Sequence, residues 1–275
     1  MVSYTTVADV RRTSGISNTE ISDADVTSII NEVEPQIERY YNTKFIPTER
    51  IDILDGNGTQ RIILDKNPVL SVRQIRTDGT TEDPSYLHTY RESGKIELDN
   101  NQSLSVNSFK RKKQAVVVKY LYGFVEESST NTNTTADADL GTDVSLSVSS
   151  ITDFSDEDWV EIYGMDGNKE VAQINTSPAG STIQVDQLVM DHESGSKVVK
   201  VEASQVLKKI VNVCCSIAMV TRIIGQSYDD IVGYNLGEMH VQKGEPYTQW
   251  RETANQLIKE RDDLLKRIPI RLYIA

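Results

Sequence analysis

The chain has 275 residues, 38% hydrophobic and 25% charged, enough for one large or two modest domains that each bury a core. No stretch reaches the roughly 18 uncharged apolar residues of a membrane span, and "MVSYTTVADVRR" has no apolar core behind a basic start, so neither a span nor a secretory leader is read. A net charge of −12 speaks against a protein that grips nucleic acid by its phosphates.

In chain order, "TTVADVRRTSG" predicts a short helix stopped by Gly15. "ISDADVTSIINEVEPQIERYYNTKF" predicts a longer one, with Ser22 as cap and Asp25 completing a capping box. Val26, Ile29, Ile30, Val33, Ile37 and Tyr40 fall on one helical face, and Pro35 lies inside it. From Arg50 the period changes to two. "RIDILDGNGTQRIILD" alternates on both sides of Asp55-Gly56-Asn57-Gly58 and predicts a hairpin. "VLSVRQIRTDGT", "SYLHTYRESGKIEL" and "QAVVVKYLYGF" continue the β pattern to Phe124. The basic run Lys110, Arg111, Lys112 and Lys113 reads either as a solvated hairpin turn or as a contact for an acidic partner or DNA.

Residues 126–143, "EESSTNTNTTADADLGTD", have one leucine and no aromatic, the composition of a linker. From 144 to 203 the pattern is β again. "WVEIYG" and "KEVAQI" flank a turn at Met165 to Asn168, followed by "TIQVDQL" and "KVVKV". After Val201 the helical period returns. A helix capped by Ser204 and stopped at Gly225 is apolar nearly all round, which predicts a central, buried position. It carries Cys214 and Cys215, which are adjacent, cannot staple the fold, and agree with synthesis in a reducing cytosol. A last helix begins at Pro246 and ends before Pro269.

The predicted class is therefore α+β: a helical bundle from both chain ends with a β-hairpin region and an inserted small all-β domain. Its divisions are a core of residues 1–125 and 204–275, a linker at 126–143 and an inserted β module at 144–203.

For chemistry, "VMDHESGSKV" sets Asp191, His192, Glu193 and Ser194 side by side, in a chain with three histidines (His88, His192, His240). Four neighbours point in alternating directions and do not converge on one substrate. One histidine between two acids lacks metal-ligand spacing. Asp153, Asp156, Glu157 and Asp158 carry oxygens suited to Ca²⁺ but no glycine-turn pattern. "DGNG" has no helix after it to receive an anion. No catalytic residue, metal or cofactor is assigned, and His192 is expected to pack or hydrogen-bond at a corner of the module.

The order of several pieces resembles the tailed-bacteriophage head–tail adaptor (connector) family. They are "SDADVTSIINEVEPQIERYYNTKF", "LDGNGTQRIILDKNPVLSVRQIRTDG", "SGKIEL" with "VVVKYLYGF", the buried helix, and "IVGYNLGEMHVQKG" before the terminal helix. They cover residues 5–125 and 204–268, and the segment 126–203 is an addition that compact members lack. The resemblance implies a virion neck protein, made in the host cytoplasm, that forms a homo-oligomeric ring, a dodecamer, under the portal protein. It would join the portal to a downstream stopper or tail protein, with DNA passing through the channel without specific binding and no membrane involved. A negative lumen would repel phosphate and let DNA slide. The family's portal contact transfers to the tail residues Ile268, Pro269, Ile270, Arg271, Leu272, Tyr273 and Ile274; the other reading is a tail folded back on its own helices. Gly233, Tyr234, Asn235, Leu236, Gly237 and Glu238 read as an inter-subunit or channel loop, or as a plain connection. A second reading of the whole is another neck, tail-completion or decoration protein whose β module binds a neighbouring protein or a surface glycan.

Overall fold

The structure is a computed structural model and describes residues 4–99, 106–165, 167–226, 233–236, 239–242 and 246–266. The chain divides into two compact units, Met1–Tyr41 with Ser204–Ala275, and Asn42–Ala203.

The first unit holds the four α-helices: α1 (Val7–Ser14), α2 (Asp23–Tyr41), α3 (Gln205–Gln226) and α4 (Pro246–Leu265). Their ends obey local rules. Thr6 caps α1 by accepting from Asp9 N, and Gly15 closes it in the left-handed conformation at φ 69°. Ser22 and Asp25 form the capping box of α2, with Asp25 N donating to Ser22 Oγ at 3.2 Å and Ser22 Oγ to Asp25 Oδ2 at 2.6 Å. Pro35 stays inside α2. Val206 N donates to Ser204 Oγ at the start of α3. Helix α3 packs against α1, α2 and α4, and Leu207, Ile210, Val211, Val213, Cys215 and Val220 are buried along it. Its near-continuous apolar surface thus matches its central place in this unit. Arg11 ties down the connection from α1 to α2, donating to the carbonyls of Ile16 and Ile21 and to Asp23. Before α4 a short antiparallel pair, β14 (Gly233–Leu236) and β15 (Met239–Gln242), occupies part of the expected loop.

Among the described residues, the second unit is strand, turn and loop apart from two single-turn 3₁₀ segments. β1 (Thr48–Leu54), β7 (Val116–Tyr122), β3 (Val69–Thr77) and β4 (Thr80–Glu82) form one antiparallel sheet in that order. β2 (Arg61–Ile63), β6 (Lys95–Leu98) and β5 (Leu87–Tyr90) form a second. Both contribute to one core that includes Ile62, Ile75, Ile96, Phe109, Val118 and Tyr120. A further sheet runs β11 (Lys169–Gln173), β10 (Trp159–Tyr163), β13 (Lys197–Ala203), β8 (Val125–Asn133), and β12 (Thr182–Leu188) pairs with β9 (Gly141–Ser147). These enclose a core of their own around Leu146, Ile162, Ile174, Ile183, Val185 and Val198.

Three expectations are corrected. The class is not a helical bundle from both ends with β decoration. Among the described residues fifteen strands stand against four α-helices, and the molecule is mostly β. The physical reason is that the strands bury two apolar cores of their own instead of leaning on helices.

The residues read as a linker at 126–143 carry strand β8 and the start of β9. Their composition misleads because the inward-facing side chains are threonines whose hydroxyls are paired. Thr132 and Thr134 are buried; Thr132 Oγ1 lies 3.0 Å from Ser149 Oγ and Thr134 Oγ1 donates to Glu193 O.

The hairpin expected around Asp55 to Gly58 does not form. β1 pairs with β7, and β2 with β6. The intervening loop runs against the segment 109–112: Gly56 N donates to Lys112 O at 2.9 Å and Gly58 N to Phe109 O at 2.6 Å. A Cβ on Gly56 would sit 1.8 Å from the Lys110 carbonyl oxygen. The glycine is there for backbone approach, not for a two-residue turn.

Candidate functional site

The corner "VMDHESGSKV" is built from its neighbours' backbones. His192 and Glu170 are both fully buried, and His192 Nε2 lies 2.7 Å from Glu170 Oε1. Glu170 also accepts from Val189 N at 2.8 Å and Met190 N at 3.2 Å. The His192 backbone exchanges two hydrogen bonds with Ala138, each 2.8 Å. Asp191 Oδ1 accepts from Leu140 N, Glu193 O accepts from Ser196 Oγ, and Ser194 N donates to Asp137 Oδ1. Asp191 and His192 are thereby held through their side chains, and Glu193 and Ser194 through their backbones. His192 Nδ1 is buried and meets no nucleophile among the described residues. The arrangement clasps residues 134–140 to the end of β12, and is not laid out for proton transfer to a substrate.

The acidic run is equally divided. Asp158 Oδ2 takes Lys200 Nζ at 2.7 Å and Ser155 N at 2.8 Å, whereas Asp156 Oδ1 accepts from Glu157 N. Among the described residues no group of three His, Cys, Asp or Glu side chains could hold a metal ion.

The basic run precedes β7 on the connection from β6, so it links two sheets and is not a hairpin turn. Lys110 and Lys112 both pair with Asp78, whose carboxyl they hold below the usual carboxylate range. Arg111 donates to Asn57 O and lies over Gly58. Three of the four side chains are therefore engaged with neighbouring loops, through Asp78 and the Asn57 carbonyl.

The tail residues Ile268 to Ile274 lie outside the described residues. So do Gly237 and Glu238, while Gly233, Tyr234, Asn235 and Leu236 form β14, paired to Gln242, Val241, His240 and Met239.

Sequence reasoning missed the polar groups that fasten the second unit internally. Arg73 on β3 is 5% exposed. It pairs with Asp186 at 3.1 Å and donates to Val171 O. Arg91 pairs with Glu161 and donates to Leu70 O at 2.7 Å. Beside them Leu70, Leu121, Val171 and Val201 form a small apolar cluster, so the module at 144–203 is seated on the sheets that precede it. Arg91 also lines a cleft of about 370 Å³ with Leu70, Val72, His88 and Lys169, but its charge is already met by Glu161. Within the first core, Tyr120 Oη donates to Asp52 Oδ2 at 2.7 Å, and Asp52 accepts from Arg50 Nε at 2.6 Å and Asp65 N at 2.9 Å. Apart from Arg50 and Asp52, two residues apart, nothing in residue type or spacing marks these pairs, because their partners are 13 to 113 residues apart.

Among the described residues, the buried polar groups singled out in the second unit are tied to its own strands and loops. The model of the head completion protein family matches residues 3–135, which takes in α1, α2, β1 to β7 and all of β8. Over that stretch, just under half of its length, the chain is similar to phage head completion proteins. No curated protein matches the chain. None of the helices described is long and apolar enough to cross a membrane.

Proposed function

We propose that the protein forms the adaptor ring that docks under the portal and joins phage head to tail around the DNA channel. The observation that carries this reading is the head completion match over residues 3–135. It ends two residues past β8, close to where the added module begins. That favours a core of residues 1–125 and 204–275 carrying an insertion at 144–203. The net charge of −12 supports it further, since a lumen that repels phosphate lets DNA pass without binding it. In this reading Ile268 to Ile274 hook onto the portal protein, Gly233 to Glu238 face a neighbouring subunit or the channel, and a stopper or tail protein binds below. The ring is a dodecamer.

Light scattering on the eluting protein, then electron microscopy of the protein mixed with portal, tests the proposal. A ring seated on the portal is the expected result. A monomer that binds portal under no condition overturns it. Deleting residues 268–275 is expected to abolish portal docking while far-ultraviolet circular dichroism stays that of the folded chain; unchanged docking removes the tail's role.

A further inference from the structure

The first unit has an open apolar groove on the flank of α3, between α2 and α4, with a volume of about 570 Å³. Ile29, Val33, Ile37 and Tyr40 form one wall, Ile217 and Ala218 the floor, and Leu265 stands at one end. Tyr40 is 63% exposed, although Val26, Ile29, Ile30, Ile37 and Tyr41 on the same helix are buried. Tyr41 Oη donates to Leu265 O at 3.4 Å, which places the end of α4 beside the end of α2. The chain therefore leaves α4 at the mouth of the groove.

We propose that this groove is the seat of the chain's own C-terminal segment, residues 267–275. Three properties of that segment fit it. Its sequence, RIPIRLYIA, in extended form puts Ile268, Ile270, Leu272 and Ile274 on one side, an all-aliphatic face. Its reach fits. Nine extended residues cover about 30 Å at 3.3 Å each, while the groove wall from Ile29 to Tyr41 is about 18 Å of helix at 1.5 Å per residue. Its charge can be met too: Arg271 lies on the opposite side of the strand from the aliphatics and Glu32 is an exposed acid lining the groove, while the lining's one cation, Arg261, is paired with Asp262. Attachment to α4 supplies an effective concentration of order mM, so a weak seat is enough to keep the segment home. The inference does not rest on the adaptor reading. If both hold, a partner that takes the tail must compete with the groove.

Cys214 lines the groove and supplies the readout. In a full-length chain carrying Cys215→Ala and Ile270→Cys, mild oxidation is expected to give an intramolecular disulfide between positions 214 and 270, mapped by peptide mass. In the Cys215→Ala chain ending at Lys266, alkylation of Cys214 at pH 9 is expected to be several-fold faster than in the 275-residue chain. Added peptide RIPIRLYIA should slow it again. Disulfides formed only between chains would put the tail in a neighbour's groove and overturn the proposal. Equal alkylation rates with and without the tail, and no disulfide, would overturn it as well. No portal is present in either assay, so the outcome is independent of whether the tail docks there.

Discussion

His192 Nε2 lies 2.7 Å from Glu170 Oε1, and neither side chain has any solvent exposure. Glu170 holds more than its histidine: two backbone N–H groups of the corner, from Val189 and Met190, end on the same carboxyl. Removing it leaves three buried donors without an acceptor, whereas removing the imidazole leaves Glu170 with two. Glu170→Ala is therefore expected to cost about 3–5 kcal/mol, the range for breaking one side of a buried pair, and His192→Ala less. Urea unfolding of both variants and the double variant measures this. A cycle with no coupling between the two positions would show that the contact contributes nothing beyond packing.

Gly56 and Gly79 separate two reasons for a glycine. At Gly56 a Cβ would sit 1.8 Å from the backbone oxygen of Lys110, so something must move. At Gly79 nothing lies within 4 Å, but φ is +91°. Gly79→Ala is expected to cost about 1–2 kcal/mol, the penalty of a left-handed backbone. Gly56→Ala should cost more and should also release the basic run, because Gly56 N donates to Lys112 O. Unfolding midpoints compare the two. Tryptic cleavage at Lys110 to Lys113 in the native state should speed up for Gly56→Ala alone.

The helices were legible because their signals are local. The Ser22 and Asp25 box, the Gly15 stop, the Ser204 cap and the Pro246 start all appear where spacing put them. Strands β10 to β13 were legible from alternation and turn residues. What failed depended on distant partners. The segment holding Asp55 to Gly58 obeys the hairpin rule locally, and a stretch some fifty residues later overrides it. Strand β8 and its end looked like a linker because the buried positions, Thr132 and Thr134, are threonines, satisfied by Ser149 and Glu193. At the candidate site, the quartet at 191–194 gave a correct corner, but its partner Glu170 was invisible. A glutamate in a strand ordinarily faces water.

Burial raises the tyrosine hydroxyls of Tyr41, Tyr120 and Tyr163, with Tyr41 pushed up to about 12. In the unfolded chain a tyrosine ionises near pH 10. A raised folded value means the stabilisation is fully present below pH 10 and is lost as pH rises through the folded value. Stability is expected to be flat from pH 8 to about 10 and to fall from there to pH 12. The part of the tyrosinate absorbance that belongs to these three should appear late, together with unfolding. Titration of all tyrosines near pH 10 in the folded chain would contradict this. The same burial pushes Cys215 up to about 12, so at pH 8 its thiol should resist alkylation until the chain is denatured.

Arg73 is the link whose loss should show whether the two cores of the second unit act as one. It reaches from β3 to Asp186 and to the Val171 carbonyl, and Arg91 repeats the pattern with Glu161 and Leu70 O. Both guanidiniums bridge several acceptors, which a lysine ammonium does not reproduce. Between them they supplement an apolar cluster of only four buried residues, too little to keep two separate cores unfolding together. The wild-type unit is expected to melt in a single transition. Arg73→Ala should cost about 1.5–3 kcal/mol, the range for hydrogen bonds to charged groups, and Arg73→Lys should recover little. With Arg91→Ala added, calorimetry should resolve two transitions, one for the core around Tyr120 and one for the core around Ile162. A single transition in the double variant would mean that Leu70, Leu121, Val171 and Val201 suffice, and that the arginines serve only local stability.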